Sequence, residues 1–145
     1  GGAYGALCSF DRLTGVFIFV SYRDPNLLAT LDIYDSAAAF LRSSSITDEE
    51  LTKSIIGAIG DIDTYLLPDA RGLVSMQRRL NGVSDASRQQ MRDEILATTP
   101  AHVRAFADAL DAVRDHGAVA ALGAAQAVGQ AHAERGLFPR ILTLM

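Results

Sequence analysis

The side chains that could carry catalysis in this chain are few, and the three histidines come first. A zinc hydrolase needs two imidazoles at i and i+4 on one helix face and a carboxylate able to take a proton from bound water, as in H-x-x-E-H or its inverse. His102, His116 and His132 are separated by 14 and 16 residues, and none has a partner at that spacing. His116, in Asp115-His116-Gly117, reads as a cation beside a helix C-terminus, while His102 and His132 read as surface residues. Asp61 and Asp63 lie two residues apart on a helix, so they face different directions and do not form an acid and base pair. They read as solvated charge. Gly57-Ala58-Ile59-Gly60 follows no strand and therefore cradles no phosphate; its glycines predict a close packing approach. No G-x-S-x-G elbow is present. Cys8 is the only cysteine, which rules out an internal disulfide and fits a reducing compartment; its place in an alternating segment predicts buried packing.

Elements that would position these groups follow from periodicity and turn chemistry. Ala3 to Phe10 and Val16 to Tyr22 are rich in aromatic and β-branched residues around the turn-forming Asp11-Arg12-Leu13-Thr14-Gly15, which predicts a β-hairpin. The second strand is apolar on both faces, with Phe17 and Phe19 on one side and Val16, Ile18 and Val20 on the other, so it is expected centrally in the sheet of the parent protein, covered on both faces. Asp24-Pro25 starts a helix whose stripe is Leu27, Leu31, Tyr34, Ala38 and Leu41. Thr47-Asp48-Glu49-Glu50 is a capping box, with Ile46 placed to staple onto Leu51. The stripe behind it is Leu51, Ile55, Ala58, Ile59, Ile62, Tyr65 and Leu66.

A short helix is expected from Leu73 to Leu80, ending at Asn81-Gly82, and a polar one from about Ser84 to Ala97. Thr99-Pro100 repeats the cap-plus-proline signal ahead of Val103, Phe106, Ala107, Leu110 and Val113, and Gly117 is placed to close that helix in a left-handed conformation. Ala118 to Leu122 is expected as a late buried strand, Ala124 to Glu134 as a small helix, and Phe138 to Met145 as a tail or terminal strand. The fold class is α+β: a mostly antiparallel sheet with a helical layer, composed of an N-terminal hairpin, helices and a strand returning late.

Composition sets outer limits. With 145 residues and 49% apolar side chains, the chain has the length of one domain and can bury a core. A net charge of −4 without a basic cluster argues against nucleic acid, and no apolar run reaches the roughly 18 residues of a membrane span. The opening Gly1-Gly2-Ala3-Tyr4-Gly5 has neither an initiator Met nor a charged leader and reads as a cut inside a longer chain.

Several stretches, taken in order, resemble the C-terminal end of presequence proteases in the pitrilysin/insulinase family of zinc peptidases. They are Gly1-Gly2-Ala3-Tyr4-Gly5, Ser9-Phe10-Asp11, Gly15-Val16-Phe17 and Ser21-Tyr22-Arg23-Asp24-Pro25-Asn26-Leu27-Leu28. Further along come Leu31-Asp32-Ile33-Tyr34-Asp35, the run Ile55 to Asp63, Leu67-Pro68-Asp69-Ala70-Arg71-Gly72 and Val113-Arg114-Asp115-His116-Gly117. The similarity extends from Gly1 to about Glu134; Leu66 departs from it, standing where a glutamine is expected, and the tail from 138 to 145 finds no match.

The resemblance implies a clamshell of two homologous halves, with zinc bound by an N-terminal half absent from this chain, and with no metal site here. It implies that residues 1–145 are a partial C-terminal domain of an enzyme degrading cleaved targeting peptides and other short unstructured peptides. The place would be the mitochondrial matrix or chloroplast stroma, and the partners would be those peptides and the N-terminal half of the same protein, with no nucleic acid or membrane. By itself the chain would be inactive. The family's substrate-contacting tyrosine maps onto Tyr4, while its companion arginine would precede Gly1. A phenol hydroxyl can donate to a peptide carbonyl as negative charge develops there. Two other readings remain at this point: a non-catalytic structural or processing subunit of the same family, and a stand-alone peptide-binding module.

Overall fold

The computed structural model describes residues 2–143; Gly1 of the opening glycine stretch and the end of the expected tail, Leu144 and Met145, lie outside them. Two strands and eight helices follow one another among the described residues, an α+β fold. They divide into two compact units, one formed by residues up to Phe40 together with those from Ala107 onward, the other by Leu41–Phe106.

In the first unit, β1 (Gly5–Asp11) and β2 (Val16–Tyr22) form the antiparallel hairpin, in a register running from Gly5 opposite Tyr22 to Asp11 opposite Val16. Asp11 closes the turn: its carboxylate accepts the Leu13 N–H at 2.9 Å, and its carbonyl accepts the Gly15 N–H at 2.8 Å. Gly15 is left-handed there, with φ 71°. Directly opposed residues share a face, so Cys8 and Phe10 lie beside Phe19 and Phe17. On this face the Phe19 ring stacks on Tyr34 of α1 (Leu27–Asp35), with centroids 4.6 Å apart and 8° between planes.

The other face, with Leu7, Val16, Ile18, Val20 and Tyr22, is exposed, and among the described residues β2 pairs only with β1. Within the described residues Phe17 and Phe19 are half-buried and the opposite face of β2 is open. Cys8, expected to be buried, is exposed, because β1 is open to solvent along its whole length.

The helix expected to run from Pro25 to Leu41 is interrupted at Ser36, between α1 and α2 (Ala37–Ser43). The Ser36 hydroxyl donates to the Ile33 carbonyl at 2.7 Å, a local bond that competes with the helical ladder. Likewise the helix after Pro100 is split at Phe106 into α6 (Pro100–Ala105) and α7 (Ala107–His116). The buried residues of this unit are small or late in sequence: Ala38, Ala107, Leu110, Ala131 and Phe138. Arg135, at the end of α8 (Ala125–Arg135), grips Asp32 of α1 through two bonds of 2.6 and 2.8 Å.

Gly117 ends α7 without the left-handed turn expected of it, since its φ is not positive. Glycine is required there for a different reason: a Cβ would sit 2.3 Å from the Val113 carbonyl oxygen, which accepts the Gly117 N–H at 2.8 Å. The late strand expected over Ala118–Leu122 is irregular chain, and so is the described part of the tail, up to Thr143. Small alanine and valine side chains cannot hold a strand without a hydrogen-bonding neighbour, and the sheet offers them none.

The Leu41–Phe106 unit contains α3 (Asp48–Ile62), α4 (Pro68–Leu80) and α5 (Asp85–Leu96), followed by α6. Its capping box is in place: the Glu50 carboxylate accepts the Thr47 N–H at 2.9 Å, and the Thr47 hydroxyl oxygen accepts the Glu50 N–H at 3.2 Å. α4 starts five residues before the expected Leu73, because Pro68 fits the first helical turn and does not break it. Nothing approaches Gly57 or Gly60 within 4 Å of a notional Cβ, so the close packing expected there is absent among the described residues. Asp63, expected as solvated charge, is instead paired with Arg92 of α5, whose guanidinium holds the carboxyl below the usual range.

Candidate functional site

Tyr4 sits immediately before β1, where the hairpin opens. Its N–H donates to the Tyr22 carbonyl at 2.9 Å, extending the ladder one residue beyond Gly5. That bond fixes the backbone while leaving the side chain outside the core: Tyr4 is 80% exposed. The ring is oriented all the same, because it meets the Tyr22 ring edge to face, with centroids 6.0 Å apart and planes at 88°. Gly2 and Gly5, on either side of Tyr4 in sequence, have nothing within 4 Å of a notional Cβ. Among the described residues, Tyr4 is not packed in the core.

Tyr22 and Arg23 complete the cluster, and sequence reasoning singled out neither. The Arg23 guanidinium carbon lies over the Tyr22 ring at 5.3 Å from its centroid, a cation–π distance. Arg23 has φ 50°, the only non-glycine residue with positive φ among those described. Just beyond it, Asp24 accepts the Asn26 N–H at 2.9 Å and the Thr30 hydroxyl, and these bonds lower its carboxyl pKa. Asp24 thus fastens the start of α1 from two residues outside the helix, and the N-cap position itself falls on Asn26.

The histidines do not converge. His102 caps α6: its Nδ1 accepts the Thr99 N–H at 3.3 Å, and Thr99 Oγ1 accepts the His102 N–H at 3.4 Å. His116 is exposed at the C-terminal end of α7, as expected. His132, expected at the surface, is half-buried, and its Nδ1 accepts the Phe138 N–H at 3.2 Å. Among the described residues no three His, Cys, Asp or Glu side chains are grouped so as to hold a metal ion. The residues present do not fit a zinc site. Among the described residues no helix is long and apolar enough to cross a membrane.

Residues 1–125 match the family model described as the PreP C-terminal domain. The chain belongs to the PreP C-terminal domain family. Among curated proteins it is 52% identical over 138 residues, 95% of its length, to presequence protease 1, chloroplastic/mitochondrial, of Arabidopsis thaliana. It is 37% identical over 101 residues, 68% of its length, to the mitochondrial presequence protease of Xenopus tropicalis. To that of Emericella nidulans it is 33% identical over 107 residues, 74% of its length. The matches cover 13%, 9% and 10% of those three relatives, so this chain spans a small part of each. The family match stops ten residues short of Arg135, so Arg135, which pairs with Asp32, and Phe138 lie beyond it.

Proposed function

We propose that this chain is part of the C-terminal portion of a zinc metalloendopeptidase, and that it forms substrate-facing wall with Tyr4 as its contact to the peptide. The observation that carries the reading is the exposed, ring-oriented Tyr4 in a chain 52% identical to a presequence protease. The substrates would be cleaved targeting peptides and other short unstructured peptides. The names of the relatives support a mitochondrial or chloroplast setting.

Tyr4 would work as a hydrogen-bond donor. Its hydroxyl is free to approach a peptide carbonyl and to strengthen that bond as the oxygen gains negative charge, which lowers the barrier without a covalent step. The edge contact from Tyr22 limits the ring's motion, so less ordering is needed when substrate arrives. Zinc would be held by a part of the enzyme outside this chain, because the residues here do not gather around a metal. The bare apolar face of the hairpin supports membership in a larger assembly, since surfaces of that kind mark contact with further protein.

To test this, cleavage of an unfolded peptide and bound zinc would be measured for the full-length protein and for residues 1–145 alone. The reading predicts cleavage and stoichiometric zinc only in the former. Robust cleavage or stoichiometric zinc in the shorter chain would overturn it.

A further inference from the structure

We propose that Arg23 is a second substrate-binding group beside Tyr4, seated on Tyr22, and that it takes a carbonyl or carboxylate oxygen of the bound peptide. The proposal rests on the reading of Tyr4 as substrate-facing and adds to it a cation and its platform.

Arg23 lies between two fixed points. Before it, Tyr22 is locked into the ladder opposite Gly5, and its carbonyl holds the Tyr4 N–H. After it, Asp24 is tied to Asn26 and Thr30 at the start of α1. The chain changes direction in the single residue between them, which takes φ 50°. A turn of that kind is met most easily by glycine or asparagine, and a long side chain there is strained.

The guanidinium is also unengaged by carboxylates. Arg92, Arg114 and Arg135 each hold an aspartate, whereas Arg23 is exposed and pairs with no carboxylate among the described residues. Its guanidinium lies over the Tyr22 ring at 5.3 Å, the same ring that orients Tyr4. One aromatic platform therefore positions a neutral donor and a cationic donor. An extended peptide carries what both can bind: polarised carbonyl oxygens along its length and a carboxylate at its end. A planar guanidinium suits either one, through charge-assisted hydrogen bonds.

The test uses the full-length protein with one unstructured peptide prepared as the free acid and as the C-terminal amide. Arg23→Gly removes the side chain and relieves the positive φ, so its melting temperature is expected to match or exceed that of the unaltered protein. Its kcat/KM is expected to fall about tenfold, mainly through KM, and Arg23→Lys is expected to recover part of the loss. A loss confined to the free acid would assign the contact to a terminal carboxylate; equal loss with both peptides would assign it to a backbone carbonyl. Unchanged kcat/KM in Arg23→Gly, alongside a clear loss in Tyr4→Phe, would overturn the Arg23 proposal and leave the reading of Tyr4 standing. Unchanged kinetics in both variants would overturn both.

Discussion

Tyr4→Phe removes one oxygen and keeps the ring, and the surroundings of that ring set the size of the expected effect. The edge contact with Tyr22 involves carbon surfaces that phenylalanine reproduces, and the backbone bond to the Tyr22 carbonyl does not involve the side chain. At 80% exposure the hydroxyl is solvated in the free protein, so its loss leaves no buried group unpaired. Stability should therefore change by less than about 0.5 kcal/mol. Catalysis should change much more if the hydroxyl donates to a carbonyl on which charge develops. Loss of one such donor is worth about 3 kcal/mol in the transition state, which corresponds to roughly a hundredfold in rate. The effect should fall on kcat and leave KM within about twofold, because a bond that forms fully only in the transition state contributes little to ground-state binding. The assay is steady-state cleavage of a quenched fluorescent peptide by the full-length protein, with a melting curve of each variant as control. A kcat within twofold of the unaltered protein would refute the reasoning, as would a loss explained by unfolding.

Gly117→Ala should lower stability by about 2 kcal/mol, the scale of a forced backbone shift, because its Cβ would meet the Val113 carbonyl oxygen at 2.3 Å; a chemical denaturation midpoint checks it. Thr47→Ala should cost about 1 kcal/mol by removing the N-cap of α3, while Gly57→Ala, with open space around it, should be neutral or stabilising in the isolated chain by the same measurement. Asp24, Asp32, Asp63 and Asp115 all have carboxyl pKa values held below the ordinary range by hydroxyl, amide or guanidinium donors. Their contribution is fully present above the unfolded carboxylate value of about 4 and is lost as pH falls toward the depressed folded values. These aspartates should thus make stability fall as pH drops below about 4, and unchanged stability across that acid range would contradict this.

The sequence was most legible where short-range chemistry decides the outcome. The Asp11–Gly15 turn, the Thr47–Glu50 capping box and the cap at Thr99 depend on residues a few positions apart, and each appears where it was expected. Expectations that depended on what surrounds an element fared worse. Cys8 and the Val16, Ile18 and Val20 face alternate like buried strand positions, but alternation shows only that a side is apolar, not that something covers it. The same holds for Gly57 and Gly60, whose spacing suggests a close neighbour that the described residues do not provide. Ala118–Leu122 had the composition of a buried strand without a neighbouring edge to pair with.

At the candidate site, Tyr4 was reached through the family resemblance and not from local chemistry. The Tyr22 and Arg23 platform was hidden, because no local signal indicates that an arginine will adopt positive φ or lie over the preceding ring. Asp63 and Arg92 are 29 residues apart and Asp32 and Arg135 are 103 apart, separations at which charge pairing cannot be read from one sequence.

The most direct measurement is photo-crosslinking in the full-length protein with a benzophenone side chain introduced at position 4. A parallel protein carrying the same group in place of Tyr65, which is 83% exposed but belongs to the other unit, is the control. If Tyr4 faces bound substrate, an unstructured peptide is captured at position 4 and competed away by unlabelled peptide, with little capture at position 65. Equal capture at the two positions, or none at position 4, would contradict the account.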